Sequence, residues 1–450
     1  MAKRQMNLEM FSTKKRAKPE IIEDLDGENS IRWYEDANLL VGTFGTPQTS
    51  EKVAAFDLDD TIIRVKSKYK FAKDEFDWAF KFSNVIKKLN DLYNQGYHIS
   101  ILSNQKGLYI EEGGKNPKKE MKRNQLKKKI EMISRELKFP FFFFGAKNED
   151  FFRKPRMGMW YLMAVYANGG QKINLGESYY VGDALGRGDG WAPGASKDHS
   201  DCDLKLALNV GVKIYSPEEF FENGFKASKI KYPKHAIETA TEFKESISDD
   251  YDGDETDFFA TVKKSMEDEP DRRIVVIMVG SPATGKSTFV QKRLVDELGF
   301  VRINQDTLKT NKKCQDLLVE SLESSKNAVI AAHRCASPEL VSHNNSFRAV
   351  FNQGKSLLKW LTFTRGDSSD EKSKPEFCSM NPELKDTKLD ELVSSLPAPG
   401  NHVSRIVFNT FNSRFEFPDK SEGLHGVYFC PFMPTFGDNP ENDTIYKLFL

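Results

Sequence analysis

Apolar residues along this chain come in short blocks that alternate between two spacings. Val53-Ala54-Ala55-Phe56 is an unbroken apolar run ending at carboxylates, and Val85, Ile86, Leu89, Leu92 and Tyr93 then recur at intervals of three and four up to Gly96. An unbroken run predicts a buried strand, and the wider spacing predicts a helix with one apolar face. The alternation continues through Ile99-Ser100-Ile101-Leu102, a lysine-rich helical stretch from Pro117 to Leu137, Phe141-Phe142-Phe143-Phe144, a helix after Pro155, and Tyr179-Tyr180-Val181. Repeated strand–helix units predict an α/β fold with a doubly wound parallel sheet, whose ligands gather at the carboxyl ends of the strands.

A second series begins at Ile274-Val275-Val276-Ile277-Met278-Val279 and runs through Ala328-Val329-Ile330-Ala331-Ala332 and Leu357-Leu358-Lys359-Trp360-Leu361 to His425-Gly426-Val427-Tyr428-Phe429. Between the two series the chain turns acidic, most strongly over Ser246 to Glu255; a solvated connector is all that such a charge run requires. A chain of 450 residues is too long for one core. The expected layout is a polar basic tail over 1–30, a first α/β domain over 31–225, an acidic connector over 226–272 and a second over 273–450. Residues 365–400, rich in Ser, Asp, Lys and Pro, read as a lid or loop within the second domain.

Charge alters this picture little. With 66 basic and 66 acidic residues the formal net charge is zero, so any nucleic-acid site must be a local basic patch. The segment from Lys115 to Lys129 is one such patch; it suits a phosphate backbone, or equally a solvated helix face. The five cysteines include no CxxC, which points to a reducing compartment and away from zinc. No stretch approaches the roughly 20 apolar residues of a membrane span, and Met1-Ala2-Lys3-Arg4 leads into no signal-peptide core. The expectation is a soluble intracellular protein with no membrane partner. Lys3-Arg4 and Lys14-Lys15-Arg16 have the form of a nuclear-import signal, which gives nuclear localisation as an expectation, although a solvated tail has the same composition.

Two sets of residues carry phosphate chemistry. The first centres on Phe56-Asp57-Leu58-Asp59-Asp60-Thr61 at the end of the first strand. Alternate side chains of an extended segment point the same way, so Asp57 and Asp59 share a face. Asp57 can attack a phosphate monoester and form an aspartyl-phosphate, while Asp59 protonates the leaving oxygen and later activates water. An Asp-x-Asp pair alone is also a common turn or helix cap. Three further residues follow in order, each expected to end a strand: Ser103 as a donor to phosphoryl oxygen, Lys154 as a fixed positive charge, and Asp183, which with Asp57 offers the hard oxygen ligands that Mg²⁺ prefers.

The second set is Gly280-Ser281-Pro282-Ala283-Thr284-Gly285-Lys286-Ser287, followed by Thr288, placed between an apolar strand and an amphipathic segment. In that context backbone amides surround the phosphates of ATP, Lys286 reaches the terminal ones and Ser287 coordinates Mg²⁺. Transfer to a hydroxyl also requires a base. Asp306, in Asn304-Gln305-Asp306-Thr307-Leu308, is the candidate, with a helix N-cap as its plainer role.

With these motifs assembled, the chain resembles the haloacid dehalogenase-like phosphatases and, more narrowly, the polynucleotide kinase 3′-phosphatase family. The resemblance rests on the Asp57 motif, Ser103-Asn104-Gln105-Lys106-Gly107, Arg153-Lys154-Pro155 with Gly158-Met159-Trp160, Tyr180-Val181-Gly182-Asp183-Ala184-Leu185-Gly186-Arg187, Trp191-Ala192-Pro193-Gly194 and Ala207-Leu208-Asn209. It implies a haloacid dehalogenase-like domain followed by a P-loop kinase domain, both doubly wound. It also implies Mg²⁺-dependent removal of 3′-phosphate from DNA termini, with the metal held by Asp57, the backbone of Asp59 and Asp183, and with Asp203 as an acidic neighbour. The implied partners are DNA termini carrying 3′-phosphate and 5′-hydroxyl, with repair proteins beyond them and a monomer as the expected state. The roughly 30 tail residues are too few for the forkhead-associated module of animal relatives, so docking by that route is not expected.

The second domain departs from the family. Ala332-His333-Arg334-Cys335-Ala336-Ser337-Pro338 stands where a substrate-side carboxylate is expected, and after Arg365 no arginine follows until Arg405. His343-Asn344-Asn345-Ser346-Phe347-Arg348 looks like the family's lid segment but lies before the strand that should precede it, and reads as coincidence. The expectation is ATP binding with weak or altered 5′-kinase activity. Two alternatives remain: a repair scaffold whose second domain binds ATP or DNA without chemistry, and a small-metabolite phosphatase fused to a nucleotide switch.

Overall fold

The computed structural model describes residues 31–111, 114–222, 230–239, 251–331, 339–348, 389, 403–416, 418, 420–430, 443 and 445–449. The basic tail, the lid 365–400 apart from residue 389, residues 332–338, Arg365 and the run 246–250 therefore lie outside the described residues. The chain separates into two compact units, with the break between Lys231 and Tyr232.

The first unit is built on a seven-stranded sheet in the order β1-β2-β7-β6-β3-β8-β9. β3 (Val53–Phe56), β6 (His98–Asn104), β7 (Phe141–Ala146), β8 (Tyr179–Val181) and β9 (Lys213–Tyr215) pair in parallel. β1 (Ile31–Glu35) and β2 (Leu39–Phe44) add antiparallel strands at one edge, so the sheet is mixed rather than purely parallel. β3, β6 and β7 are buried almost throughout, as expected of strands covered on both faces. This is why they read as continuous apolar runs in the sequence.

Helices α1 (Val85–Asn94) and α2 (Pro117–Leu137) pack on this sheet, α1 through Val85 and Leu89 and α2 through Leu126, Ile130, Ile133 and Leu137. α2 starts where sequence chemistry predicts a start: Asn116 accepts from the backbone of Lys119, and Pro117 occupies the first turn. Gly158 opens α3 (Gly158–Leu162) because a Cβ there would come within 2.5 Å of Phe151 O. α4 (Cys202–Val210) and α5 (Pro217–Phe221) complete the unit, α5 beginning with a capping box between Ser216 and Glu219. β4 (Ile63–Val65) and β5 (Trp78–Phe80) form a separate antiparallel hairpin just after the Asp57 motif.

The second unit has a parallel three-stranded sheet, β10-β12-β11, from Val275–Met278, Ala328–Ala331 and Val301–Ile303. Within the stretch expected to be a connector, Glu255–Asp268 forms a helix capped by Asp254 and Asp257, and its Phe258, Phe259 and Val262 join the core of this unit. Its acidic surface hides a three-and-four apolar stripe, which is why charge alone read as a solvated linker. Among the described residues, no helix is long and apolar enough to cross a membrane.

Candidate active sites

The first site forms where β3, β6 and β8 end side by side. Parallel pairing sets Phe56 beside Ile101 and Val181, so the residues just beyond these strands converge. Asp57 follows β3 directly, and its backbone N–H donates to Val181 O at 2.9 Å. Ser103 lies within β6, and Asp183 is two residues past β8.

Lys154 binds this cluster together. Its Nζ lies 2.6 Å from Asp57 Oδ1 and 2.9 Å from Tyr180 Oη, and forms a charge contact of 2.8 Å with Asp203 Oδ1. Asn104 clamps the lysine's backbone from both sides: Lys154 N–H donates to Asn104 Oδ1, and Asn104 Nδ2 donates to Lys154 O. Asp203 also accepts from Ala184 N–H at 3.1 Å. Gly182 is required beneath it, because a Cβ there would sit 2.4 Å from Asp203 Oδ2.

Asp57, Asp183 and Asp203 present carboxylate oxygens that all lie within 4.8 Å of one another. Burial pushes the Asp57 carboxyl above its usual range, Lys154 draws it back down, and Asp203 adds repulsion. Asp183 is pushed up by burial and then by Asp57 and Asp203. Three crowded carboxylates facing one lysine leave negative charge uncompensated, and their hard oxygens suit a magnesium ion.

Asp59 stands at the open mouth of this cluster, where Gln105 Nε2 donates to its Oδ2 at 3.0 Å and to Ser103 Oγ at 2.9 Å. Loss of hydration raises the Asp59 carboxyl, while the charge of Lys129 and the Gln105 hydrogen bond oppose the rise. Lys119 near the start of α2 donates to Tyr109 O at 2.7 Å, which ties that helix to the segment following Gln105. Arg187 fixes the loop carrying Asp183: its guanidinium donates to Asp183 O, to Asp198 and to Glu218, and stacks 3.6 Å from the Trp191 ring.

Five groups with clear roles carried no signal that singled them out in the sequence: Gln105, Asn104, Tyr180, Arg187 and Lys129. The first four lie inside recognised motif strings, so proximity to a named residue was the available clue. Lys129 was one of many lysines, and only the helix geometry separates it from the rest.

The β4–β5 hairpin adds a surface beside this mouth. Its loop exposes Tyr69, Phe71 and Phe76 at 52%, 76% and 68%, an uncommon display of large rings. Lys66, Lys68, Lys70 and Lys73 are exposed among them. Asp77 holds the loop in shape, accepting from Ser67 N–H, Ser67 Oγ–H and Lys73 N–H. Lys128 of α2 pairs with Glu75 at 3.5 Å, so the basic helix adjoins this loop.

The second site is the loop after β10. Gly280, Ala283 and Gly285 have positive φ angles of 153°, 68° and 79°, the backbone form that turns successive N–H groups into a concave anion nest. Lys286 Nζ donates to Gly280 O and Ser281 O at 2.7 and 2.8 Å, folded back on the loop. Thr284 Oγ1 donates to Ser281 O, and Ser287 and Thr288 lie in the helix Lys286–Phe289 that the loop opens. Pro282 lies inside the loop. Asp306 lies in the short helix Gln305–Leu308 and is exposed. Asn304, not Asp306, caps that helix by accepting from Asp306 N–H at 2.8 Å, which leaves the Asp306 carboxylate available.

Comparisons with known proteins match both parts of the chain. The family profile described as "Polynucleotide kinase 3 phosphatase" matches residues 52–221, and that described as "AAA domain" matches residues 275–353. The "Bifunctional polynucleotide phosphatase/kinase" of Schizosaccharomyces pombe is 30% identical over 430 residues, covering 89% of this chain and 85% of that protein. The "Putative bifunctional polynucleotide phosphatase/kinase" of Acanthamoeba polyphaga mimivirus is 30% identical over 318 residues, covering 66% of this chain and 70% of that protein. The "Polynucleotide 3'-phosphatase ZDP" of Arabidopsis thaliana is 33% identical over 209 residues, 42% of this chain and 28% of that protein.

Proposed function

We propose, for a chain that belongs to the bifunctional polynucleotide phosphatase/kinase family, a reaction at each end of a DNA strand break. The first unit removes 3′-phosphate, and the second uses ATP to phosphorylate the 5′-hydroxyl. The observation that carries this reading is the convergence of Asp57, Ser103 and Asp183 from neighbouring strand ends with Lys154, which comes from the turn between β7 and α3 rather than from a strand end, in the same chain as the Lys286 loop.

In the phosphatase reaction the Asp57 carboxylate attacks phosphorus, and the bond from phosphorus to the sugar 3′-oxygen breaks. Asp59, whose raised carboxyl retains a proton more readily than an ordinary aspartate, donates that proton to the departing oxygen. It then takes a proton from the water that hydrolyses the aspartyl-phosphate. Gln105 holds Asp59 and Ser103 in one frame, and Lys154 neutralises phosphoryl charge. Asp57, Asp183 and the Asp59 backbone would hold Mg²⁺, which when bound supplies further charge neutralisation; Asp203 orients Lys154 from behind.

A polynucleotide suits the mouth better than a small metabolite does. Exposed rings of the β4–β5 loop can stack on bases, and the lysines around them and on α2 can track a phosphate backbone. Nuclear localisation through the basic tail belongs to the same proposal; a reporter fused to residues 1–30 that stays outside the nucleus would count against it.

A nicked duplex with 3′-phosphate and 5′-hydroxyl, treated with ATP and Mg²⁺ and scored at both termini, tests the whole reading. Asp57→Asn should abolish only the 3′ reaction and Lys286→Ala only the 5′ reaction. Hydrolysis of free nucleotides in preference to the nick would reject it.

A further inference from the structure

The segment His343 to Arg348, which reads in sequence as a coincidental likeness to a lid, occupies the helix 339–348. That helix rests on the phosphate loop. Asn344 Nδ2 donates to Ala283 O at 3.1 Å in a buried setting. Tyr446 Oη donates to Asn344 Oδ1 at 2.5 Å, so both ends of the amide are engaged and its orientation is fixed. The Tyr446 ring also meets His343 and Phe347 edge-on, at 4.6 and 5.0 Å between centroids. The helix is therefore held against the loop from two directions.

Arg348 follows Asn344 by four residues, which places it on the same helix face, one turn further along. Asn344 marks the face that touches the loop, so Arg348 is carried beside it. Burial, and after it the Arg348 charge, together lower the Lys286 amine to about 8. Among the described residues no carboxylate acts on Arg348. Lys286 meanwhile spends its donors on loop carbonyls. Two neighbouring cations at an anion nest, with no balancing carboxylate among the described residues, fit a ligand that brings several negative charges.

We propose that Arg348 is a phosphate clamp of the kinase site, binding the terminal phosphoryl oxygens of ATP together with Lys286. The proposal rests on the kinase reading above, and it supplies from within the domain the cation that the sequence lacks after Arg365. In the step it assists, the 5′-hydroxyl oxygen bonds to the γ-phosphorus while the bond from that phosphorus to the β–γ bridging oxygen breaks. The hydroxyl proton passes to Asp306, and ADP departs with the electron pair. A guanidinium on the transferring group stabilises charge that grows as the bond breaks, so its effect falls on turnover more than on ATP affinity.

The test uses the full chain, a 5′-hydroxyl oligonucleotide and ATP, with affinity for a fluorescent ATP analogue and melting temperature measured in parallel. Arg348→Ala should lower kcat ~100-fold or more while weakening nucleotide affinity less than about tenfold. Arg348→Lys should recover part of kcat, and the 3′-phosphatase should be unaffected. Wild-type kcat in Arg348→Ala, with Lys286→Ala inactive, would overturn the clamp and leave the kinase reading intact. A lowered melting temperature, with affinity and kcat falling together as in Asn344→Ala, would mark Arg348 as structural and also overturn it. A wild-type protein that neither binds the analogue nor phosphorylates the oligonucleotide would overturn both readings.

Discussion

Lys154 Nζ lies 2.6 Å from Asp57 Oδ1, joining residues 97 positions apart in the chain. The pair is buried, and both members are pulled out of water into a cluster that also contains Asp183 and Asp203. A lysine held this way is fixed before substrate arrives, so no reorganisation is needed when charge develops on the phosphoryl group. Lys154→Met should therefore reduce 3′-phosphatase turnover by about 10²–10³-fold, the scale typical of losing one preorganised electrostatic group. Phosphate release from a 3′-phosphorylated oligonucleotide measures it, and unchanged 5′-kinase activity controls for global unfolding.

The same crowding makes the metal-free site a source of instability. Asp183 has its carboxyl raised in the folded protein by burial and by Asp57 and Asp203. For a raised group the folded state binds more protons, so stability is present below the unfolded value near 4 and is lost as pH rises through the folded one. Asp183→Asn should raise the melting temperature of chelator-treated protein by several degrees at neutral pH, and should remove most of the stabilisation that added Mg²⁺ gives the wild type. A melting curve with and without Mg²⁺ at pH 7.5 decides it; an unchanged metal-free melting temperature would show that the carboxylates do not repel.

His98 gives the opposite pH dependence. Its Nδ1–H donates to Gln48 O and its Nε2 accepts from Ser100 Oγ–H, both at 2.8 Å, so the ring is neutral and satisfied. Burial lowers its pKa to about 4. The depressed group contributes stability that is full above the unfolded value near 6.5 and is lost as pH falls through about 4. Up to about 3 kcal/mol is at stake. Urea titrations of the first unit's unfolding at pH 7 and pH 5 should show a drop that His98→Gln lessens.

The β4–β5 loop should govern substrate size rather than chemistry. Phe71→Ala or Phe76→Ala should raise KM for a single-stranded 3′-phosphorylated oligonucleotide by about fivefold, the lower end of what one base–aromatic stack contributes. Charge reversal at Lys118 and Lys122, both exposed on α2, should act in the same direction and more strongly at low salt. None of these changes should alter kinetics on a small aryl phosphate. Equal effects on both substrates would mean that the loop and helix support the site instead of the strand.

Much of this was legible in the sequence because strand-end chemistry is local. Phe56-Asp57, Leu102-Ser103 and Val181-Gly182-Asp183 each announce a buried strand followed by a functional group, and parallel pairing brings such ends together. What could not be read was anything depending on a face. The 255–268 helix looked like a linker because its charge outnumbers its three buried residues. Arg348 looked misplaced because its value depends on Asn344 touching Ala283 one turn earlier, a contact that the sequence order does not reveal. The antiparallel β1–β2 edge was hidden because its residues, Trp33 and Leu40 among them, are as apolar as the parallel strands.

In the proposed reaction Asp57 forms a covalent bond to phosphorus during 3′-end cleaning. Rapid acid quench of the enzyme with a 3′-³²P-labelled oligonucleotide, followed by mass analysis of labelled peptide, examines it directly. Transient label is expected on the peptide containing Asp57, accumulating in Asp59→Asn with a leaving-group-activated substrate and absent in Asp57→Asn. Phosphate release at wild-type rate in Asp57→Asn, or label on any other residue, would contradict it.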